Sequence, residues 1–120
     1  MKETKSMAGR RVLLVEDEYF IVDDLVRTFE ASGAEVVGPV ASVDGALDLI
    51  AATERLDGAV LDVNLQGEMA YPVADALAAR GVPFVFATGY DEASIPPRYA
   101  HIVRCEKPVA TEKIARALFG

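Results

Sequence analysis

The chain has 120 residues, 52% hydrophobic and 26% charged, with a mean hydropathy of +0.22, which suits one folded domain with a buried core and holds no second module. Nineteen acidic against twelve basic residues give a net charge of −7, and because residues 1–11 carry +3, residues 12–120 carry −10. So acidic a body repels phosphate backbones and anionic lipid, and no apolar run approaches the ~20 residues that span a bilayer, which argues against nucleic-acid and membrane partners.

From Arg11 onward, short apolar runs alternate with longer stretches of helical period, the pattern of a parallel sheet covered on both faces and hence of the α/β class. The run 12–15 is apolar throughout, as a doubly buried strand must be, and stops at Glu16-Asp17-Glu18. A first helix follows over 19–32, with Ile21, Val22, Leu25, Val26 and Phe29 on one stripe and Gly33 as its stop. The second strand, 35–40, contains Gly38-Pro39 and so belongs at a sheet edge. Ser42 is placed to cap a second helix with Val43, Ala46, Leu47 and Ile50 inward, and the third strand is 58–63, apolar except for Asp62. A third helix near 68–80 accepts Pro72 in its first turn, and the fourth strand is 83–88. Only thirteen residues, including Pro96-Pro97, separate Thr88 from Ile102, so the fourth helix is expected to be shortened to a turn around 91–94. The fifth strand is expected at 102–105 and the last helix at 111–119, while residues 1–10 read as a mobile tail ahead of a domain over 11–120.

Open α/β sheets bind ligands beyond the carboxyl ends of their strands. Glu16, Asp17, Asp62, Thr88 and Lys107 all fall at such ends. Three carboxylates against one ammonium repel one another, and an all-oxygen donor set without thiolate or imidazole suits Mg²⁺ or Mn²⁺. Asp62 is then positioned as a nucleophile for phosphoryl transfer, with Thr88 and Lys107 supplying a hydroxyl and a cation for the phosphoryl oxygens. One cysteine and one histidine exclude an internal disulfide and a Cys/His zinc site. His101 reads as a surface residue and Cys105 as a small core residue, and Tyr19, Phe20, Phe84 and Phe86 read as core or rim aromatics. No apolar export segment stands at the N-terminus, so the expected location is cytoplasmic.

With these residues in place the chain resembles the receiver domains of two-component response regulators, from about Val12 to Leu118. The resemblance implies a flavodoxin-like fold, a five-stranded parallel sheet of order 2-1-3-4-5. It also implies site roles: Asp17 as a direct Mg²⁺ ligand, Glu16 acting through water, Asp62 as phosphoacceptor and ligand, and Asn64 contributing its backbone carbonyl. Thr88 and Lys107 would contact the phosphoryl group, with Pro108 following in a cis bond. Residues 83–90, PFVFATGY, are similar to the subgroup named for its Phe-Ala-Thr-Gly-x-Tyr signature, though Tyr90 follows Gly89 directly. That subgroup includes single-domain regulators and receivers of a general stress response. Arg104 stands where most receivers carry a switch Tyr or Phe, so either Arg104 or Tyr90 is expected to report phosphorylation. Gly89 leaves room for the incoming group, and Tyr90 is placed to shield the acyl phosphate. The implied partners are a histidine kinase or phosphotransfer protein and a downstream regulator protein, with the domain itself a monomer.

A receiver promotes its own phosphorylation and is not an enzyme in the ordinary sense. The alternative, a Mg²⁺-dependent aspartyl-phosphate phosphatase or phosphomutase, resembles an Asp-x-Asp arrangement, whereas Asn64 stands at the second position here. A nucleotide or flavin binder lacks its glycine-rich loop, since neither GxGxxG nor GxxxxGK[ST] occurs.

Overall fold

A computed structural model describes residues 7–88, 95–107 and 110–120. In chain order the elements are β1 (Arg11–Val15), α1 (Tyr19–Ala31), β2 (Glu35–Val40), α2 (Val43–Ala52), β3 (Gly58–Asp62), β4 (Asn64–Leu65), β5 (Glu68–Met69), α3 (Tyr71–Ala79), β6 (Phe84–Thr88), a single 3₁₀ turn (Pro97–Tyr99), β7 (Arg104–Glu106) and α4 (Thr111–Phe119). Five strands form one parallel sheet in the order β2-β1-β3-β6-β7. The expected order 2-1-3-4-5 differs from this in detail, because β4 and β5 were not foreseen and pair only with each other.

Alternation along β1 sorts the core into two halves. Leu13 and Val15 face α2 and α3, together with Val43, Ile50, Leu61, Val73, Leu77 and Phe86. Val12 and Leu14 face α1 and α4, with Leu25, Phe29, Val60, Val85 and Ile114. Burying both faces explains why β1, β3 and β6 read as unbroken apolar runs. Ser42 caps α2 as expected, its Oγ accepting the Gly45 N–H at 3.0 Å.

Three expectations need correction. The third helix starts at Tyr71, three residues later than expected, because Gln66 and Gly67 adopt φ of 54° and 92° and turn 64–69 into a two-residue hairpin. The fifth strand is Arg104–Glu106 and not 102–105: the Ile102 N–H is taken by the Tyr99 carbonyl at 3.1 Å, so pairing with β6 begins at Arg104. Between β6 and β7 the described helical structure is the turn Pro97–Tyr99, whereas the turn expected at 91–94 lies outside the described residues.

The third correction concerns the tail, of which residues 7–10 pack against the domain. Met7 is fully buried among the α1/α4 core, its N–H donates to the Ser32 carbonyl at 3.0 Å, and the Gly9 N–H donates to the Gly33 carbonyl at 3.1 Å. Gly33 permits this approach, since its φ is +92° and a Cβ there would meet the Ala8 Cα at 2.8 Å. Arg10 lies over the Phe119 ring, 4.6 Å from its centroid.

Met7→Ala should therefore lower stability by about 2–4 kcal/mol, the usual cost of a large-to-small change in a core. The urea unfolding midpoint measures it, and a loss below about 0.5 kcal/mol, typical of a surface site, would show that the segment adds nothing to the core.

Candidate functional site

Because the sheet is parallel, the C-terminal ends of β1, β3, β6 and β7 share one edge, and each brings a polar residue to it. β1 ends into Glu16, whose N–H donates to the Val40 carbonyl at the end of β2, 3.0 Å away. Asp62 closes β3 in register with Ala87 of β6, which puts it one residue from Thr88. The Thr88 carbonyl accepts the Lys107 N–H at 2.8 Å, so the backbone itself ties Lys107 to the end of β6.

The side chains then converge on one ammonium. Lys107 Nζ lies 3.1 Å from Glu16 Oε2, 2.9 Å from Glu18 Oε1 and 3.2 Å from Asp62 Oδ2. An ammonium has three N–H donors, and three acceptors surround this one. The Glu16 side chain is 1% exposed, and those of Asp62 and Lys107 are each 9% exposed, so water screens these charges little. The other Asp62 oxygen, Oδ1, accepts the Asn64 N–H at 3.2 Å. The hairpin aims that N–H: the Asn64 side-chain oxygen accepts the Gly67 N–H at 2.6 Å, and the Ala70 N–H goes to the Val63 carbonyl at 2.9 Å.

Burial and the neighbouring Asp62 push the Glu16 carboxyl up to about 7, against the pull of Lys107. Burial likewise raises Asp62, with Lys107 opposing it. Desolvation would strip Lys107 of its proton, but its hydrogen bonds to Glu18 and Glu16 and the charge of Asp62 outweigh that, and the ammonium is held above the ordinary lysine range.

Glu16, Asp17 and Asp62 offer oxygens that all lie within 4.8 Å of one another. Glu16 Oε1 is buried and has no hydrogen-bond partner among the described residues. A buried acceptor with no donor, in a group of hard oxygens carrying more negative charge than one lysine offsets, fits a hard divalent cation. A cleft of about 210 Å³ lined by Glu16, Asp17, Tyr19, Val22, Pro39 and Val40 opens beside it.

The structure thus brings together Glu16, Asp17, Asp62 and Lys107, with Thr88 adjoining through the backbone and Asn64 beside Asp62. Arg104 is exposed on the edge strand β7, in register with Phe86. Gly89, Tyr90 and Pro108 lie outside the described residues. Sequence reasoning missed Glu18 as a member of the site. Its one signal was a third acid in the run that ends β1. It also missed the partners of Tyr99, whose hydroxyl donates to Asp75 of α3 while its ring packs against Tyr71, Phe84 and Phe86.

No family model matches the chain. Among solved structures it is similar to SdrG from Sphingomonas melonis Fr1, with 42% identity and a TM-score of 0.80 over 91% of this chain and 92% of that one. It is also similar to the BeF3-activated conformation of SdrG, with 41% identity and a TM-score of 0.75 over 92% of this chain and 94% of that one. The response regulator PhyR from Brucella abortus matches at 25% identity and a TM-score of 0.78, over 97% of this chain and 51% of that one. An uncharacterized transcriptional regulatory protein, YbdJ of Bacillus subtilis, is 30% identical over 88 residues, 72% of this chain and 38% of that relative, so the chain spans well under half of this curated relative. The fold, the acidic edge and these likenesses together show that the chain belongs to the receiver domains of response regulators. Among the described residues no helix is long and apolar enough to cross a membrane.

Removing the ammonium leaves Glu16 and Asp62 buried against each other, so both carboxyls hold their protons more tightly than in the unfolded chain. An acid whose folded value is raised loses stability as pH climbs from its ordinary range through that value. Lys107→Ala should accordingly fall furthest below the wild type near pH 8, by about 3–5 kcal/mol, with the gap narrowing towards pH 5 as the carboxyls become neutral. Urea midpoints across that range test this, and a gap that widens on acidification would contradict it.

Proposed function

We propose that the chain is a phosphoacceptor of a two-component phosphorelay, in which a phosphohistidine donor on a histidine kinase or phosphotransfer protein transfers its phosphoryl group to Asp62. The observation that carries this reading is the setting of Asp62, one oxygen on the Asn64 N–H and the other on Lys107, inside the carboxylate group. The 41% identity to a protein with a BeF3-activated conformation supports it. In the transfer an Asp62 oxygen bonds to phosphorus as the phosphorus–nitrogen bond to the donor imidazole breaks, and the electron pair of that bond stays on the nitrogen. Hydrolysis reverses the gain: water attacks phosphorus, the bond to Asp62 breaks, and inorganic phosphate leaves with the carboxylate restored.

Glu16, Asp17, Asp62 and the Asn64 carbonyl would hold Mg²⁺, which supplies charge neutralisation for phosphoryl oxygens when bound. The chain's own part is positioning and charge. Lys107 can turn one N–H from a carboxylate to a phosphoryl oxygen without leaving its backbone tie to Thr88, and the Thr88 hydroxyl is a second donor. Arg104, not an aromatic residue, occupies the edge position on β7, so we assign the report of phosphorylation to Arg104 or Tyr90, with Gly89 leaving room for the incoming phosphoryl group and Pro108 following Lys107 as in the family. The proposed domain is 11–120 with residues 7–10 packed against it, and its output is a changed protein-contact surface, with a general stress response as the proposed setting.

Acetyl phosphate with Mg²⁺ should add one phosphoryl mass to the intact protein, and Asp62→Asn or EDTA should abolish the gain. Turnover of a phosphate substrate would instead indicate a phosphatase or phosphomutase, and no modification at all would indicate an interaction module. In the labelled protein, Tyr90→Ala should shorten the phosphorylated lifetime and Arg104→Ala should weaken a partner's preference for the phosphorylated form. Unchanged decay and unchanged discrimination would remove both residues from these roles.

A further inference from the structure

Glu18 stands apart from the other two carboxylates on Lys107. Glu16 and Asp62 are buried members of the oxygen group that fits a cation, whereas the Glu18 side chain is 61% exposed and lies outside that group. Its backbone is nonetheless fixed. The Glu18 N–H donates to Glu16 Oε2 at 3.1 Å, and its carbonyl accepts the Val22 N–H at 2.9 Å in the first turn of α1. Glu18 occupies the N-cap position of α1 but makes no side-chain cap bond, so its carboxylate is spent on Lys107, at 2.9 Å the shortest of that ammonium's three contacts.

We propose that Glu18 is a positioning residue acting through Lys107: it holds one N–H of the ammonium at the mouth of the site, and that N–H must be released to the phosphoryl oxygen for transfer to Asp62 to proceed. This rests on the phosphoacceptor reading above. Before the transfer Glu18 is the carboxylate given up most easily, because water solvates it once the ammonium turns away, whereas Glu16 and the still unmodified Asp62 would each lose a partner for a buried charge. The restraint opposes transfer, since the Glu18 contact must break before Lys107 can serve the phosphoryl group.

Two variants separate this restraint from simple repulsion of an anionic donor by a charge at the mouth. Glu18→Ala removes both charge and contact. Glu18→Asp keeps the charge, but its shorter side chain falls back on the free N–H groups of α1, where aspartate is a favoured cap. Both variants should take up phosphoryl from acetyl phosphate and Mg²⁺ faster than wild type by about two- to fivefold, the range open to a partly exposed ion pair. In the protein without Mg²⁺, the Lys107 ammonium signal in ¹⁵N NMR should exchange its hydrogens faster with water in both. If only Glu18→Ala is faster, or if both keep the wild-type rate and ammonium exchange, the restraint does not exist. A slower rate in both overturns its sign. If wild type itself takes no label, the phosphoacceptor reading fails and this role with it, while the metal-free ammonium signal still reports whether Glu18 grips Lys107.

Discussion

A parallel sheet gathers its strand ends along one edge, and in this chain that edge holds more negative charge than its one lysine can balance. Lys107 is the constraint on which the arrangement depends. Three carboxylates reach it, two of them buried, and its backbone N–H is bonded to the end of β6. Buried carboxylates beside each other are tolerable only if protonated, paired or bound to a cation. The raised Glu16 carboxyl, with one oxygen that has no hydrogen-bond partner among the described residues, marks a site whose charge is incompletely satisfied.

The scaffold offsets this strain with apolar burial on both faces of the sheet. The two halves of the core are separate along β1, where alternate residues face opposite helix pairs. Thr88 and Asp62 therefore sit on strands whose other residues are locked from both sides, so the edge can carry repelling charges without loosening the strands beneath it. The last turn before β7 is fixed in another way. Tyr99 inserts its ring among Tyr71, Phe84 and Phe86, and its hydroxyl and the neighbouring Arg98 both engage Asp75. This clamp joins α3 to the turn Pro97–Tyr99, the helical structure among the described residues between β6 and β7.

How much of this could be read from the sequence depends on whether a residue's neighbours along the chain decide its environment. Runs such as 12–15 and 84–88 are apolar because both faces are covered, and that is a local signal, as is the polar residue at each strand end. Pairing between residues far apart is not. Met7, with only Ala8 beside it, lies in a polar stretch, and only the groove beside Gly33 makes it core. Ile102 and Val103 have strand character, yet the turn at Tyr99 takes the Ile102 N–H and delays the ladder. The hairpin at 64–69 rests on two left-handed residues, one of them Gln66, which carries no composition signal for that conformation. Glu18 was hidden among three consecutive acids, whose spacing cannot tell which one reaches a lysine 89 positions away.

That hairpin also explains why Asn64 suits the position two after Asp62. Its side chain is occupied in closing the turn on the Gly67 N–H, which leaves the backbone of Asn64 as the part that addresses the site. An aspartate there would add a fourth carboxylate beside Asp17, Glu16 and Asp62 and deepen the repulsion that Lys107 already fails to cancel. A neutral side chain with one acceptor for the turn meets both demands. The charge at this edge is thus limited on the β3 side by Asn64 and extended on the β1 side by Glu18, the one member whose carboxylate water can take over when the ammonium turns inward.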